Sequence, residues 1–509
     1  MTSPSWWSGR IPFSWVWGNQ RLLFRAFLVL FVAATALRLC AIKAVPLAPE
    51  EAYYWDYSQH PNLSYFDHPP MVAWMIRFGT AVFGDTELGV RWLSSILMLG
   101  ACTAIYFFAR VWWARQTAIL SAAALLLLPG YFISTLMGMM DAPLVLFWAM
   151  TLLFISRALH RDQRANWYLA GITTGLALLT KYTAIFLPLG GLLAVVLYKP
   201  WRRQLRTIHP YIACIIAIAL FSPVLLWNAR HGFASFRFYL YERSAVNPLS
   251  LALPMRFIAY QFFILGPVHA LAAVVAMRRY RRFSPAFIIA VSFSLPLIAA
   301  MFFKSFRETH PNWTLPAYIA LLPLATQLLV AESRWLHRRA RKDSGALGFT
   351  AITCLSAYVG FFLFLLTLQP RLLLLRSFGQ WRNLAAIVER YEDQLPHHPG
   401  QYTETEPIVV GAGAYRLAAE LAFYRTPIEH EYPASASTTS CWPIQGNGRA
   451  FEYWLTKRDL LGRDCVFVTD DLEYAEKLAP HFESIEPKES VPVSRHKTYR
   501  IYVCRNYLG

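Results

Sequence analysis

"PEEAYYWDYSQHPNLSYFDHPP", running from Pro49 to Pro70, crowds Glu50, Glu51, Asp56, His60, Asp67 and His68 among aromatic residues and closes on a rigid Pro-Pro pair. It follows an apolar run, Leu22–Val45, that is long enough to cross a bilayer core, which takes roughly 20 residues of helix. Ionisable groups beside such a run are expensive in lipid and are kept where they have a use. The stretch therefore reads as the mouth of a membrane bundle.

The rest of the chain agrees. Of its 509 residues 56% are hydrophobic and 15% charged, whereas soluble domains carry about 25% charged residues. About eleven spanning helices are expected: Leu22–Val45, Trp92–Val111, Thr117–Met137, Ala142–Leu159, Trp167–Leu179, Tyr182–Leu197, Tyr211–Trp227, Phe257–Met277, Ala286–Phe303, Trp313–Ala331 and Leu347–Leu368. The net charge of +18 sits largely in short arginine clusters between these runs. That is the pattern of cytoplasmic loops, and it argues against a nucleic-acid partner. The clusters at Arg110 and Arg115, Arg157–Arg164, Lys199–Arg206, Arg278–Arg282 and Arg334–Lys342 all fall on one side of the alternation. The opposite, outer side receives the opening stretch, Asp141, the Asn228–Arg256 and Lys304–Asn312 loops and everything after Gln369. The expected topology is a cytoplasmic N-terminus and an outer C-terminal part. No small-residue cleavage site follows the first run, which reads as a retained span. "MVAWMIRFGTAVFG", Met71–Gly84, has helical spacing but is too short to span, and suits a helix lying in the interface.

The expected fold class is an α-helical polytopic membrane protein with a small C-terminal soluble α/β domain. The division is 1–369, containing the first outer loop 46–91, and 370–509. In the second part "RNLAAIVERY", "LAAELAFYR" and "LEYAEKLAPHF" read as helices, and "EPIVVGAGAY", "DCVFVTD" and "TYRIYVCRN" as strands. "GAGAY" lacks the third glycine and acidic partner of a dinucleotide site. Seven cysteines show no zinc-like spacing. Cys441, Cys465 and Cys504 lie in the C-terminal part, where an oxidising compartment would let two of them pair; the sequence leaves open which two.

The charged residues read at the outer rim are the candidates for chemistry: Glu50, Glu51, Asp67, His68, Asp141, Lys181, Arg237, Arg307 and His310. Each has a plainer reading. The glutamates are also what remains when acids avoid the positive side, Lys181 reads as a snorkelling anchor, His68 as a turn residue, Asp141 as a helix cap, and His310 as structural. Their gathering at one water–lipid boundary favours function, since carboxylates and cations there can activate a hydroxyl and hold a phosphate.

The landmarks "EEAYYW", "YFDHPPMVAW", "MMDAPLVLFW", "GLALLTKYTAIFL", "SPVLLWNARHGF" and "HPNWTLPAYIALLPL" together resemble the bacterial GT-C membrane glycosyltransferases of the protein-mannosyltransferase-like superfamily. That superfamily includes the lipid A aminoarabinose transferases and the rhizobial lipopolysaccharide galacturonosyltransferases. The resemblance implies an inverting transfer of sugar from a polyprenyl-phosphate donor to an envelope acceptor on the periplasmic face of the bacterial inner membrane. The acceptor would be lipid A, lipopolysaccharide core or another glycan, with protein as an alternative. No cofactor is called for and no residues are assigned to a metal; the sequence leaves open whether the reaction needs one. Glu50 stands where the family has the aspartate of an Asp-Glu pair and would be the general base, with Glu51 as the other candidate and Asp141 at the second acidic position. His68 stands where the aminoarabinose transferases have a lysine on the donor phosphate. Lys181 is a second phosphate contact, and Tyr53 and Tyr54 would pack on sugar or prenyl chain. A lipid transporter or flippase is the competing class. It would call for ionisable groups in mid-span and matching halves, whereas the charges here read at the rim.

Overall fold

The computed structural model describes residues 24–25, 27–29, 31–36, 38–39, 42, 45–243, 247–280, 284–340, 381–396, 407–412, 415–425, 438–441, 448–471, 476–494 and 497–509. The first expected span is described in part, and the eleventh, Leu347–Leu368, lies outside the described residues.

The opening stretch is itself helical. α1 (Pro49–Gln59) is followed by α2 (Met71–Phe83), which exposes Trp74, Phe78, Val82 and Phe83, as an interfacial helix would. The bundle comprises α3 (Glu87–Trp112), α4 (Arg115–Leu127), α5 (Pro129–Leu136), α6 (Asp141–Arg161), α7 (Ala165–Leu178), α8 (Phe186–Leu197), α9 (His209–Arg230), α10 (Ala252–Arg279), α11 (Pro285–Lys304) and α12 (Leu315–Ala340). Among the described residues six segments are long and apolar enough to cross a membrane, or eight if each of two bent pairs is one span. The described residues do not reach the expected eleven. Thr117–Met137 is two helices meeting at 57°, because Pro129 has no N–H to continue the ladder. Trp167–Leu179 yields α7, only 14 residues long. On α7, Gly171 and Gly175 let α9 approach closely; a Cβ on Gly171 would lie 2.5 Å from the Ala213 carbonyl oxygen.

One charge lies inside the bundle, contrary to the reading that all sit at the rim. Arg38 is fully buried, donates to the Leu126 carbonyl at 3.3 Å and lies over the Phe132 ring. It satisfies a carbonyl at the α4–α5 break. Its Nε and Nη1 are buried without a hydrogen-bond partner among the described residues.

The C-terminal unit comprises α13 (Trp381–Glu392), β1 (Ile408–Gly411), α14 (Tyr415–Arg425), β2 (Thr439–Ser440), β3 (Cys465–Thr469), β4 (Phe482–Ser494) and β5 (Lys497–Tyr507). The sheet order is β2-β1-β3-β5-β4, with β1 parallel to β2 and β3 and β5 antiparallel to β3 and β4. The helix expected at "LEYAEKLAPHF" is described only from residue 476 and ends in a 3-10 turn, Ala479–His481. The register sets Cys465 opposite Cys504; both are buried thiols, unbridged, as is Cys441.

This unit docks on the opening stretch. Trp55 meets Phe423 edge to face at 5.2 Å, the Leu47 N–H donates to the Tyr424 hydroxyl at 2.8 Å, and Arg382 pairs with Glu87 at 2.7 Å. A shared apolar core joins Tyr53, Trp55 and Tyr57 to Ala418, Phe423 and Phe451.

Candidate active site

Neighbouring residues on α1 point about 100° apart, so Glu50 and Glu51 enter different surroundings. Glu51 is fully buried and spent on structure. It accepts from Arg91 Nε at 2.6 Å and also from Arg91 Nη2, from the Gly138 N–H at 2.7 Å and from the Ala48 N–H at 2.9 Å. Only glycine brings that N–H so close, since a Cβ on Gly138 would lie 2.6 Å from Val90 Cγ1. Arg91 in turn donates to the carbonyls of Ile42, Val45 and Pro46 and ties down the chain entering α1. Glu50 is different. Its side chain is one-third exposed, and Arg416 of α14 pairs with it at 2.9 Å.

One turn on from Glu50, on the same face, the Tyr54 hydroxyl lies 3.2 Å from His68 Nε2. Tyr53 and Tyr57 instead point at Asp67, which accepts from both hydroxyls and from Arg449 Nη1 at 2.9 Å. Tyr239 donates to the Asp67 carbonyl at 2.7 Å, and its hydroxyl lies 3.3 Å from His68 Nδ1. Arg243 reaches the Tyr239 hydroxyl at 3.3 Å while holding Glu308 through Nε at 3.1 Å and Nη2 at 2.9 Å. His310 and Lys304 also face Glu308, at 3.2 and 3.9 Å. Beside them Asp141 accepts from Lys181 at 3.1 Å and from Asn312 at 2.9 Å.

The electrostatics follow from burial and from these pairs. Burial pushes the His68 imidazole down to about 3, Arg243, Lys181 and Arg449 push the same way, and Asp67 opposes them. The ring is therefore neutral near pH 7, flanked by three cations. Burial disfavours charge on Asp67, but His68, Arg449 and the two tyrosine hydrogen bonds outweigh it and hold the carboxyl below its ordinary range. Since His68 is neutral, Arg449 is the lasting charge partner of Asp67. Burial also opposes charge on Glu308, yet His310, Arg243 and Lys304 draw its carboxyl down to about 2.

Eight of the residues read from sequence thus come together: Glu50, Tyr53, Tyr54, Asp67, His68, Asp141, Lys181 and His310. Glu51 sits beside them as framework. Arg237 and Arg307 do not join. Arg237 is exposed and faces Glu242 at 3.8 Å, and Arg307 is exposed with its Nη1 on the Asn247 carbonyl. Two plainer readings also fail. Asp141 opens α6 without a side-chain cap bond, and Lys181 is largely buried on Asp141, not extended to the interface. Arg243, Tyr239, Lys304, Asn312, Arg416 and Arg449 were not singled out from sequence. The loop positions had a signal in their placement on the outer side. The two arginines of the C-terminal unit had none. Among the described residues, the carboxylates close enough together to share a cation are Glu389, Glu392 and Asp393. Glu389 and Glu392 face Arg425 at 2.6 and 4.0 Å, which makes them an ion-pair cluster remote from this site.

Two further carboxylates are buried here, Asp56 on α1 itself and Glu420 on α14, which packs against it. Asp56 and Glu420 have oxygens with no hydrogen-bond partner; burial pushes both carboxyls well up, and Glu51 and Glu50 add to the effect at Glu420. The folded state keeps the Glu420 proton while the unfolded chain loses it near 4.5, so this group erodes stability as pH rises from there. Glu420→Gln should therefore unfold at a higher temperature than wild type, by a margin that grows from about pH 4.5 upward. Melting curves across pH test this; a margin that shrinks as pH rises would contradict it.

The family model described as dolichyl-phosphate-mannose-protein mannosyltransferase matches residues 67–227. The chain is 28% identical over 288 residues to the lipid A galacturonosyltransferase RgtD of Rhizobium johnstonii, covering 55% of this chain and 60% of that protein. It is 27% identical over 326 residues to an undecaprenyl phosphate-alpha-4-amino-4-deoxy-L-arabinose arabinosyl transferase of Pseudomonas fluorescens, covering 57% and 55%. The chain thus spans a little over half the length of these curated relatives. ArnT from Cupriavidus metallidurans in the apo state aligns with a TM-score of 0.65 at 17% identity, over 94% of this chain and 98% of that one. The same protein bound to undecaprenyl phosphate gives 0.64 at 18% identity. The likeness establishes a shared fold and bears out the resemblance to GT-C membrane glycosyltransferases.

Proposed function

We propose that the chain is an inverting glycosyltransferase that moves a sugar from a polyprenyl-phosphate donor to a lipid or glycan acceptor of the bacterial envelope: lipid A, lipopolysaccharide core or a related glycan. The observation that carries this reading is His68 set between the Tyr54 and Tyr239 hydroxyls, with the Asp67–Arg449, Glu308–Arg243 and Asp141–Lys181 pairs gathered nearby, beside the accessible Glu50 face of α1 at the end of a membrane bundle. A prenyl tail lies in lipid, so its phosphate arrives at that depth. Lys181 and Arg243 meet the leaving phosphate, and His68 gives it a hydrogen bond. Glu50 takes the proton of the acceptor hydroxyl, and that oxygen attacks the anomeric carbon. The bond from that carbon to the phosphate oxygen breaks, the configuration inverts, and polyprenyl phosphate leaves. The glycosidic phosphate bond supplies the driving force, so no nucleotide enters. Asp141 holds Lys181 for this task.

In this reading the protein is a multi-pass protein of the inner membrane with a cytoplasmic N-terminus. Residues 1–369 form the transferase body with the catalytic loop 46–91, and residues 370–509 lie in the periplasm. The basic clusters support this orientation: among the described residues, Arg110, Arg115, Arg157–Arg164, Lys199–Arg206, Arg278 and Arg279 fall at the helix ends away from Glu50 and His68. A reporter fused after Tyr507 that works only in the periplasm should be active.

The deciding experiment gives the purified protein a polyprenyl-phosphate sugar and assays release of polyprenyl phosphate, with mass spectrometry of envelope lipids from cells with and without the protein. Movement of the intact donor across vesicles, with no release, would overturn the reading in favour of a transporter. Arg243→Ala should weaken donor binding by about 10–100-fold, the value of a hydrogen bond to a charged group. Titration with polyprenyl phosphate measures it, and unchanged affinity would remove Arg243 from the site.

A further inference from the structure

We infer that Arg449, carried by the C-terminal unit, is a positioning residue of the donor site: its ion pair with Asp67 fixes the turn that presents His68, so the site is complete only when this unit is docked. The inference rests on the transferase reading above and extends it.

The argument begins at Asp67, which is 1% exposed and directly precedes His68. Tyr53 and Tyr57 satisfy one carboxylate oxygen and Arg449 the other, at 2.9 Å. The tyrosines lend hydrogen bonds but no charge. Without Arg449 a buried carboxylate would stand with no permanent cation against it, an arrangement a protein relieves by taking up a proton or by moving the group. Either response reaches His68 through the one peptide bond between them. The same turn is pinned by Tyr239, which donates to the Asp67 carbonyl and touches His68 on Nδ1. Any displacement of Asp67 therefore shifts His68 against the cations around it.

Arg449 is seated for this contact. Its backbone φ of 50° lies in the left-handed region, which non-glycine residues seldom occupy. Strain of that kind persists where surrounding contacts over-determine it. Here the next N–H, of Ala450, donates at 3.0 Å to the hydroxyl of Tyr53, the same tyrosine that bonds Asp67. The guanidinium lies 4.2 Å from the centre of the Tyr415 ring at the start of α14. One element of the C-terminal unit thus reaches the first outer loop at two adjacent points, both ending on the Tyr53–Asp67 pair.

The test uses the full-length protein in lipid nanodiscs. Wild type, R449A, R449K, D67N and the double variant R449A/D67N are compared for donor KM, kcat, polyprenyl phosphate affinity and melting temperature. R449A should raise donor KM and weaken polyprenyl phosphate binding by about 10-fold, with kcat falling less. R449K should recover part of the loss, since it restores charge but not the planar fork. The double variant should be no worse than R449A, because the two residues act as one unit. If R449A does not fold, R449K and D67N carry the same comparison. A lower melting temperature with unchanged KM and affinity would make Arg449 a staple of the fold only and overturn the inference. So would losses in R449A and D67N that multiply in the double variant. Absence of transfer by wild type would overturn the transferase reading instead, while the polyprenyl phosphate titrations still report on Arg449.

Discussion

Glu50→Gln should slow sugar transfer by about 10²–10⁴-fold, the usual contribution of a general base, while the protein folds and binds donor normally. Of the three candidate carboxylates Glu50 is the one that is not buried. Glu51 is surrounded by Arg91 and two backbone N–H groups, and Asp141 by Lys181 and Asn312. Among the described residues Glu50 pairs with Arg416, itself exposed, which an incoming acceptor is able to displace. The amide keeps the shape of the side chain and loses only the capacity to take a proton. Turnover and donor affinity of the purified variant, with its melting temperature, measure the effect. Wild-type turnover in Glu50→Gln, with an inactive but folded Asp141→Asn, would move the base to the other carboxylate.

Arg91→Met should destabilise the protein by about 3–5 kcal/mol, as removal of one member of a buried ion pair does. Glu51 would remain fully buried with only N–H partners, and the carbonyls of Ile42, Val45 and Pro46 would lose their donor. Methionine fills the space, so lost charge and hydrogen bonds dominate over cavity effects. Expression, monodispersity and thermal unfolding in detergent check this. A well-behaved Arg91→Met protein that is inactive would instead place the Glu51–Arg91 pair in the chemistry.

The fold was legible where one physical signal dominates. Spans show as uninterrupted apolar runs, as in α3, α6 and α11. Strands β1 and β3 stand out because both faces are covered, and β5 because its apolar residues alternate. β4 was not read, because "FESIEPKESVPVS" carries charges and two prolines, which an edge strand tolerates and a central one does not. The break at Pro129 was missed because the apolar run continues through it, and composition does not register a lost N–H. Within the site, Asp67, His68, Asp141 and Lys181 were legible as charges next to lipid. Glu50 and Glu51 could not be told apart, since their difference lies in partners supplied by Gly138, Arg91 and Arg416. Arg449 was invisible because it stands in a soluble segment where an arginine is unremarkable by composition, and only docking brings it to Asp67.

The bonds between Leu47 and Tyr424 and between Asp67 and Arg449 join residues 377 and 382 positions apart. A ribosome delivers the chain from its N-terminus at about 5–20 residues per second. Helix α1, with its aromatic face, is therefore made long before the segment that covers it. During that interval the first loop lacks the segment that covers it, so the assembling protein presents the apolar face of α1, and on the transferase reading proposed above it is not yet competent for transfer. Closing so long a loop is slow compared with pairing neighbouring helices. Maturation thus has an order built into it, bundle first and docking of the C-terminal unit last, and a chain that stalls between the two is recognisable by the uncovered tyrosines and tryptophan of α1.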